Sequence, residues 1–457
     1  MGPTREPGPT REGEPATPPA EACLGYPFPM TVSPDDRAPA GSERTGSPTP
    51  IAARRPSQDW RLLLLVFFLT SMVEGIGVSQ VFAFLPEYLK QMGVTGEDRL
   101  RFVGLFSSLV FIVGLPLVPL WGVWADKYSR KAVIIRSALV EAVVFSAVAL
   151  SREPWQLAAS LLLIGFQLGN TGVMLAGIRD VTPPARLGTT IALFGISGPI
   201  GFAAGPVVGG FIVDGLRFGL PTVFASSAVL SIGTALLVAF GSREVRPEVI
   251  PEGPVLRLAF GAIRGALSDP SVRRVFAVFG VAFLAQQMTR PYIPVLVEGL
   301  NVNGVRLASD IGLVAGTAAL AGALVSALGG AIGDRVGFRP VLVAALLVAG
   351  VVIGLAPFAP SIASLAVIAL VFAACMAIVS AMVFGLLAIE VPAERRSATL
   401  NLVYLPLYGA GIVGPAVGSA VVGAGLPVPF LAAAAIFVGT GLVLGLARLR
   451  QTAPATS

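Results

Sequence analysis

From Trp60 to Ala447 the chain is a succession of apolar runs, each roughly 20 residues long and separated by short polar gaps. A run of that length crosses a ~30 Å hydrocarbon layer as a single helix, because a helix rises about 1.5 Å per residue. Twelve such runs are read at about 61–86, 100–124, 132–151, 155–178, 188–213, 220–241, 273–297, 308–332, 340–358, 361–389, 397–423 and 427–447. Charged residues make up 13% of the 457 positions and apolar ones 54%, whereas soluble domains carry about 25% charge. Lipid offers no partner for backbone amides, so the runs must satisfy their own hydrogen bonds as helices. The sequence therefore predicts an all-α polytopic membrane protein.

The runs are also written twice. Gly122-Val-Trp-Ala-Asp126-Lys-Tyr-Ser-Arg130-Lys131 recurs as Gly330-Ala-Ile-Gly-Asp334-Arg335-Val-Gly-Phe-Arg339, with the two aspartates 208 residues apart. Pro86 and Pro294 keep the same spacing, and Gly205-Pro206 recurs 209 residues later as Gly414-Pro415. Asp180-Val-Thr-Pro-Pro-Ala-Arg186 has a looser counterpart ending at Arg396, 210 residues on. One offset shared by four landmarks predicts two pseudo-symmetric six-helix bundles. Internal repeats in a membrane chain point to a carrier whose substrate site lies between its halves.

Residues 1–58 hold thirteen of the 37 prolines with Gly, Ser, Thr and mixed charge. Such a segment buries too little apolar surface to offset ordering entropy, and without an apolar stretch it is no secretory signal. A disordered cytoplasmic tail is expected, with Met30 as an alternative start. The bundles are then placed at 59–241 and 273–447, joined by a polar cytoplasmic linker at 242–272 with a short amphipathic helix near 255–267, and followed by a cytoplasmic tail at 448–457. With both termini inside, 25 of the 32 Lys and Arg face the cytoplasm and six face out; without the tail the bias is 19 to six. The positive-inside rule fixes that orientation. A multi-pass protein of the cytoplasmic membrane, with the lipid bilayer as its partner, follows.

The loop after the second helix, Gly122-x-x-x-Asp126-Lys-x-x-Arg130-Lys131, resembles the signature of the major facilitator superfamily, and the Gly330–Arg339 copy sits where that family repeats it. The resemblance implies twelve helices around a central cavity that opens alternately to either side. It implies that Gly122 and Gly330 admit close helix contact, and that Asp126 and Asp334 meet the opposite half. Arg130, Lys131, Arg335 and Arg339 would face the cytoplasm. Asp126 is expected near Arg396 and Ser397 in the outward-open state. Ser129 stands where the family has Gly, and Phe338 where it has Arg. In the fifth helix, Gly198, Pro199, Gly205, Pro206, Gly209 and Gly210 are similar to the antiporter motif of drug:proton exporters; a generic small-residue packing face is the other reading. The family's arginine in the fourth helix is absent, Gly165 occupying its place.

Polar groups inside lipid are costly and usually functional. Glu74 lies midway along the first helix on a face with Thr70, Ser71, Gly77 and Val78. Stripped of water there, it either exchanges a proton for a cationic substrate or stays as a neutral structural group. Glu141, midway along the third helix, reads as a structural contact or a second proton carrier. Further cavity candidates are Gln167 and Asn170 in the fourth helix, Gln287 and Arg290 in the seventh, and Asn401, Tyr404 and Tyr408 in the eleventh. Arg290 has three readings: an anion site, an outer gate paired with a carboxylate, or a snorkelling cation. The gate is favoured.

No histidine is present, so protons must move on carboxylates. Cys23 and Cys375 make neither a disulfide framework nor a metal site. There is no phosphate-binding loop, zinc-protease pattern or Gly-x-Ser-x-Gly elbow, which argues against an ATP-driven pump and against an enzyme. The net charge of +6 sits in the gaps between helices rather than in a nucleic-acid patch. The expectation is a monomeric secondary transporter without cofactor or metal. It would export amphipathic small molecules such as drugs against protons; the alternatives are a carrier of one metabolite and a non-transporting receptor on the same scaffold.

Overall fold

The computed structural model describes Gly2 and residues 58–452, except 248–249, 251, 303, 391–401 and 403. The expected tail, Met30, Cys23, Asn401, Arg396 and Ser397 lie outside the described residues, and of Tyr404 only the backbone is described. Twelve helical segments occupy the unit Pro56–Ser457. They are α1 (Trp60–Gln91), α2 (Gly96–Lys127), α3 (Arg130–Leu150), α4 (Pro154–Val181), α5 (Pro184–Gly215) and α6 (Leu220–Gly241), then α7 (270–300), α8 (Leu307–Val336), α9 (Phe338–Phe358), α10 (Ile362–Glu390), α11 (Tyr404–Val421) and α12 (Pro427–Thr452). An amphipathic helix, Val255–Leu267, precedes α7 and packs on the last part of α2. The described residues form no strand.

Eleven of the twelve are long and apolar enough to span a bilayer on composition alone. The exception is α7. Its helix Pro270–Thr289 gives way to a 3-10 turn at Arg290–Tyr292 and resumes as Ile293–Leu300. Pro291 lacks the N–H that would continue the ladder. By contrast α1 was expected to end at Pro86 and instead runs through it to Gln91. Its start is capped by Asp59, whose Oδ1 accepts from the Arg61 amide at 2.9 Å. A second discontinuity divides α4: a 3-10 turn at Ile164–Phe166 leads to Gly169 in the left-handed region at φ +99°, and the helix restarts at Asn170. A residue with a Cβ adopts that φ rarely, so the break is written into the glycine.

Small residues let the helices cross closely, the way helices pack in lipid. In the first bundle a Cβ on Gly75 of α1 would stand 2.7 Å from the Gly198 carbonyl of α5. The second bundle repeats the crossing between α7 and α11, where a Cβ on Gly414 would meet the Leu284 carbonyl at 2.6 Å and one on Gly418 the Met288 carbonyl at 2.7 Å. Likewise α3 packs on α6 and α9 on α12. The buried Gln80 ties three helices of the first bundle: its amide donates to the Gly205 carbonyl at 3.2 Å and it accepts from Ser227 at 2.6 Å.

The halves meet along α5–α8 and α2–α11, again a symmetric pair. A Cβ on Gly312 would lie 2.6 Å from the Pro206 carbonyl, and one on Gly104 2.7 Å from the Pro415 carbonyl. Ions reinforce this seam. Glu298 at the end of α7 accepts from Lys90 at 2.7 Å and from Arg99 at 3.0 Å, and Asp214 accepts from the Ser309 amide that starts α8. A cavity of about 440 Å³ lies at this distal end between Phe84, Lys90, Asp214, Glu298 and Ala308. Towards the linker end α5 loses its cover. Thr189, Ile191 and Leu193 are exposed, and nothing stands within 4 Å of a Cβ on Gly188 or Gly195. The seam is therefore shut distally, and among the described residues nothing covers this face of α5.

Candidate functional site

The break in α4 builds the site. A 3-10 turn followed by a left-handed glycine takes carbonyls out of the helical ladder, and in lipid they need other donors. Those donors come from α3. Arg136 Nη1 donates to the Phe166 carbonyl at 2.6 Å, and Ser137 Oγ to the Gln167 carbonyl at 2.8 Å. Trp121 of α2 covers the guanidinium face at 3.7 Å. The restart places Asn170 so that its Nδ2 donates to Glu74 Oε2 at 3.1 Å across to α1.

Glu141 of α3 stands behind Glu74. Gly77, one turn along α1, makes room first for the Phe145 ring of α3, against which a Cβ would clash, and such a Cβ would also lie 3.2 Å from Glu141 Oε1. Glu141 is 3% exposed and its Oε1 has no hydrogen-bond partner, while Ser231 of α6 contacts the same carboxyl. Glu74 feels the charge of both Glu141 and Arg136. Both side-chain amide atoms of the buried Gln167 are without partners, as is Asn170 Oδ1. Of the expected residues, Glu74, Glu141, Gln167 and Asn170 thus belong to one cluster. Arg136 was missed: it sits six residues into α3 and was counted with the loop cations.

The second group lies on α7. Arg290 holds its guanidinium carbon 4.0 Å from the ring centre of Phe82 and 5.0 Å from that of Phe202, both in the opposite half. Among the described residues its one hydrogen bond is to Gln287 Oε1 at 3.4 Å. Among the described residues no carboxylate pairs with it, so the expected acid partner of an outer gate is replaced by two aromatic faces. Tyr408 of α11 packs its ring 5.9 Å from Phe111 of α2. The acid at the distal closure is Glu298, which sequence reasoning passed over because it falls at the end of the broken helix.

Residues 63–309 and 306–457 match the sequence model of the Major Facilitator Superfamily. The chain belongs to the Major Facilitator Superfamily. It is 30% identical over 267 residues to the multidrug resistance protein MdtG of Citrobacter koseri, an alignment covering 58% of this chain and 64% of that protein. The MdtG of Salmonella typhi is also 30% identical, over 272 residues, with the same coverage. The aligned part thus spans just under two thirds of these relatives. Among solved structures, the nucleoside transporter NupG superposes with a TM-score of 0.67 at 17% identity, covering 86% of this chain and all of that one. The superfamily fold of two six-helix bundles is thereby established.

The two copies of the superfamily's loop motif are built differently. In the first, Arg130 is 5% exposed at its side chain and pairs with Asp126 at 2.8 Å and Asp180 at 2.6 Å. Glu244, after α6, accepts from the Arg130 amide at 2.9 Å, and Lys131 caps carbonyls of Ala239 and Ser242. Ser129 caps α3 by accepting from the Ala132 amide at 3.0 Å, a task the usual glycine cannot perform. In the second copy Asp334, Arg335 and Arg339 are exposed, and Phe338 fills the gap between α8 and α10. A Cβ on Gly333 would meet its ring at 2.7 Å. Gly122 and Gly330 touch nothing within 4 Å, so in this conformation neither makes the close helix contact that the resemblance implied. The antiporter motif packs on two sides: Gly201 and Gly205 against α1, Pro206 and Gly210 against α8, with Gly209 facing Phe84.

Proposed function

We propose that the protein exports amphipathic small molecules in exchange for protons, residues 59–241 and 273–447 rocking about the linker as a monomer in the cytoplasmic membrane. The described conformation is then inward-open, the linker end being cytoplasmic by the positive-inside rule. The observation that carries the reading is the Glu74–Glu141–Arg136 cluster. Among the described residues Arg136 makes no ion pair with either acid, but its charge acts on Glu74, and the two carboxylates with the one guanidinium are neutral together with one proton and singly negative without it. A proton or a cationic substrate satisfies the cluster, and in a low-dielectric site both together are disfavoured. Competition of this kind is all that exchange requires. Asn170, fixed by the α4 restart, holds Glu74 by a hydrogen bond across to α1. The names of the MdtG relatives fit drugs as cargo.

The test is proton release in weak buffer when a lipophilic cation, ethidium, is added to purified protein. Wild type should release protons, and Glu74→Gln should release fewer than one tenth as many. Equal release from both places the exchange elsewhere. The unpartnered amides of Gln167 and Asn170 favour a second reading, a carrier of one polar metabolite; saturable transport of one such solute, with no ethidium response, would select it.

A further inference from the structure

Arg290 is a charge without a counter-charge. Among the described residues no charged side chain acts on it. No Asp or Glu occurs in the sequence of the second half between Glu298 or Asp310 at the distal end and Asp334 or Glu390 at the linker end. A guanidinium kept in a helix for structure alone would be expected to find a carboxylate or a carbonyl, because an unpaired charge within a membrane span is disfavoured. Arg290 has only the Gln287 amide oxygen at 3.4 Å, longer than the 2.7–2.9 Å typical of a charge-assisted bond. Of its five N–H donors one is engaged, and weakly.

The surroundings say how the other donors are presented. Phe82 and Phe202 lie along the guanidinium at 4.0 and 5.0 Å. Cation–π contact occupies the faces of the planar group and leaves its edge donors free. Distally the way is closed by Tyr292, 0% exposed, whose hydroxyl lies 2.5 Å from where a Cβ on Gly104 would be. Phe202 and Arg290 both remain partly exposed. The free edge is thus offered on the inner side of the distal seal, beside an aromatic wall. The backbone of Phe202 crosses α1 beside Glu74: its nitrogen would be 3.0 Å from a Cβ on the next residue, Gly75.

We infer that Arg290, with Gln287, Phe82 and Phe202, forms an anion subsite for organic anions with a flat apolar body, carboxylates or sulfonates. The oxyanion meets the guanidinium edge and the body lies along Phe202. The cavity then has two poles, and the inference rests on the transport reading for its claim that the cavity holds cargo.

The experiment is equilibrium binding of naphthalene-2-sulfonate and of neutral naphthalene-2-sulfonamide to the purified full chain in nanodiscs. A charge-assisted contact in such a site predicts that wild type binds the sulfonate at least about tenfold more tightly. Arg290→Gln should bring the sulfonate down to the affinity of the sulfonamide. Arg290→Lys, which keeps the charge and loses the planar fork, should fall between the two and carries the test if the glutamine variant fails to fold. Equal affinity of wild type for the two probes, no sulfonate binding at all, or a preference that survives both substitutions would overturn the subsite. Proton release plays no part in the measurement. A sulfonate preference without ethidium-driven proton release keeps the subsite and removes the exchange; the reverse pattern removes the subsite alone.

Discussion

The two halves share a fold and differ in where they keep charge. The first buries two carboxylates and a guanidinium around the break in α4, and it ties its loop motif together with Asp126, Arg130, Asp180 and Glu244. The second has no acid in its membrane interior, one guanidinium between aromatic rings, and a loop motif closed by Phe338. Duplication supplied the same helices twice, and the differences fall on what each half does with protons and cargo. Within the proposed mechanism, proton exchange resides in the first half and the second contributes recognition and a matching wall.

The largest expected effect separates those roles. Glu74→Gln should cut ethidium-driven proton release more than tenfold, while Arg290→Gln leaves at least half of it; equal losses would erase the division between the halves. Next is Arg136→Gln, which removes the donor to the Phe166 carbonyl and the cover on Trp121. It should lower stability by about 1–3 kcal/mol, seen as earlier thermal unfolding in detergent. Arg136→Lys should recover little of that, since an ammonium cannot stack and bond in one plane. A full rescue by lysine would mean that only charge matters there.

The loop motifs give a smaller contrast. Asp126→Asn should reduce transport roughly fivefold, as about 1 kcal/mol of pairing to a buried arginine is lost, whereas Asp334→Asn stays within twofold. Uptake of ethidium into inverted vesicles reads both; comparable effects would show the second motif paired in another conformation. Smallest are Gly122→Ala and Gly330→Ala. Their Cβ atoms enter open space, so unfolding should shift by less than about 0.5 kcal/mol in either. A larger destabilisation at one of them would break the single respect in which the two copies agree.

Much of this was legible in the chain. Run length and a shared offset fixed the helices and the doubling, because both follow from bilayer thickness and gene-level repetition rather than from packing detail. Glu74, Glu141 and Asn170 were legible as polar residues that lipid would reject. Arg136 was not, because its role depends on carbonyls that only the Gly169 break exposes. Glu298 was hidden for a similar reason: its partners Lys90 and Arg99 lie about 200 residues away in sequence and meet it only when the halves close. The acid partner expected for Arg290 failed because aromatic rings in the opposite half give no periodic signal.

The distal seam between the halves is made mostly of glycines set against carbonyl oxygens, at Gly312 and Pro206, Gly104 and Pro415, and Gly210 and Ala308. Contacts of that kind carry no net charge. Dissolved ions shorten the reach of charges from about 8 Å at physiological strength to about 3 Å at 1 M, and among the described contacts there they act on Asp214 at the Ser309 amide and on Glu298 with Lys90 and Arg99. The backbone part of that closure is therefore indifferent to ionic strength, and only its charged groups respond to the medium.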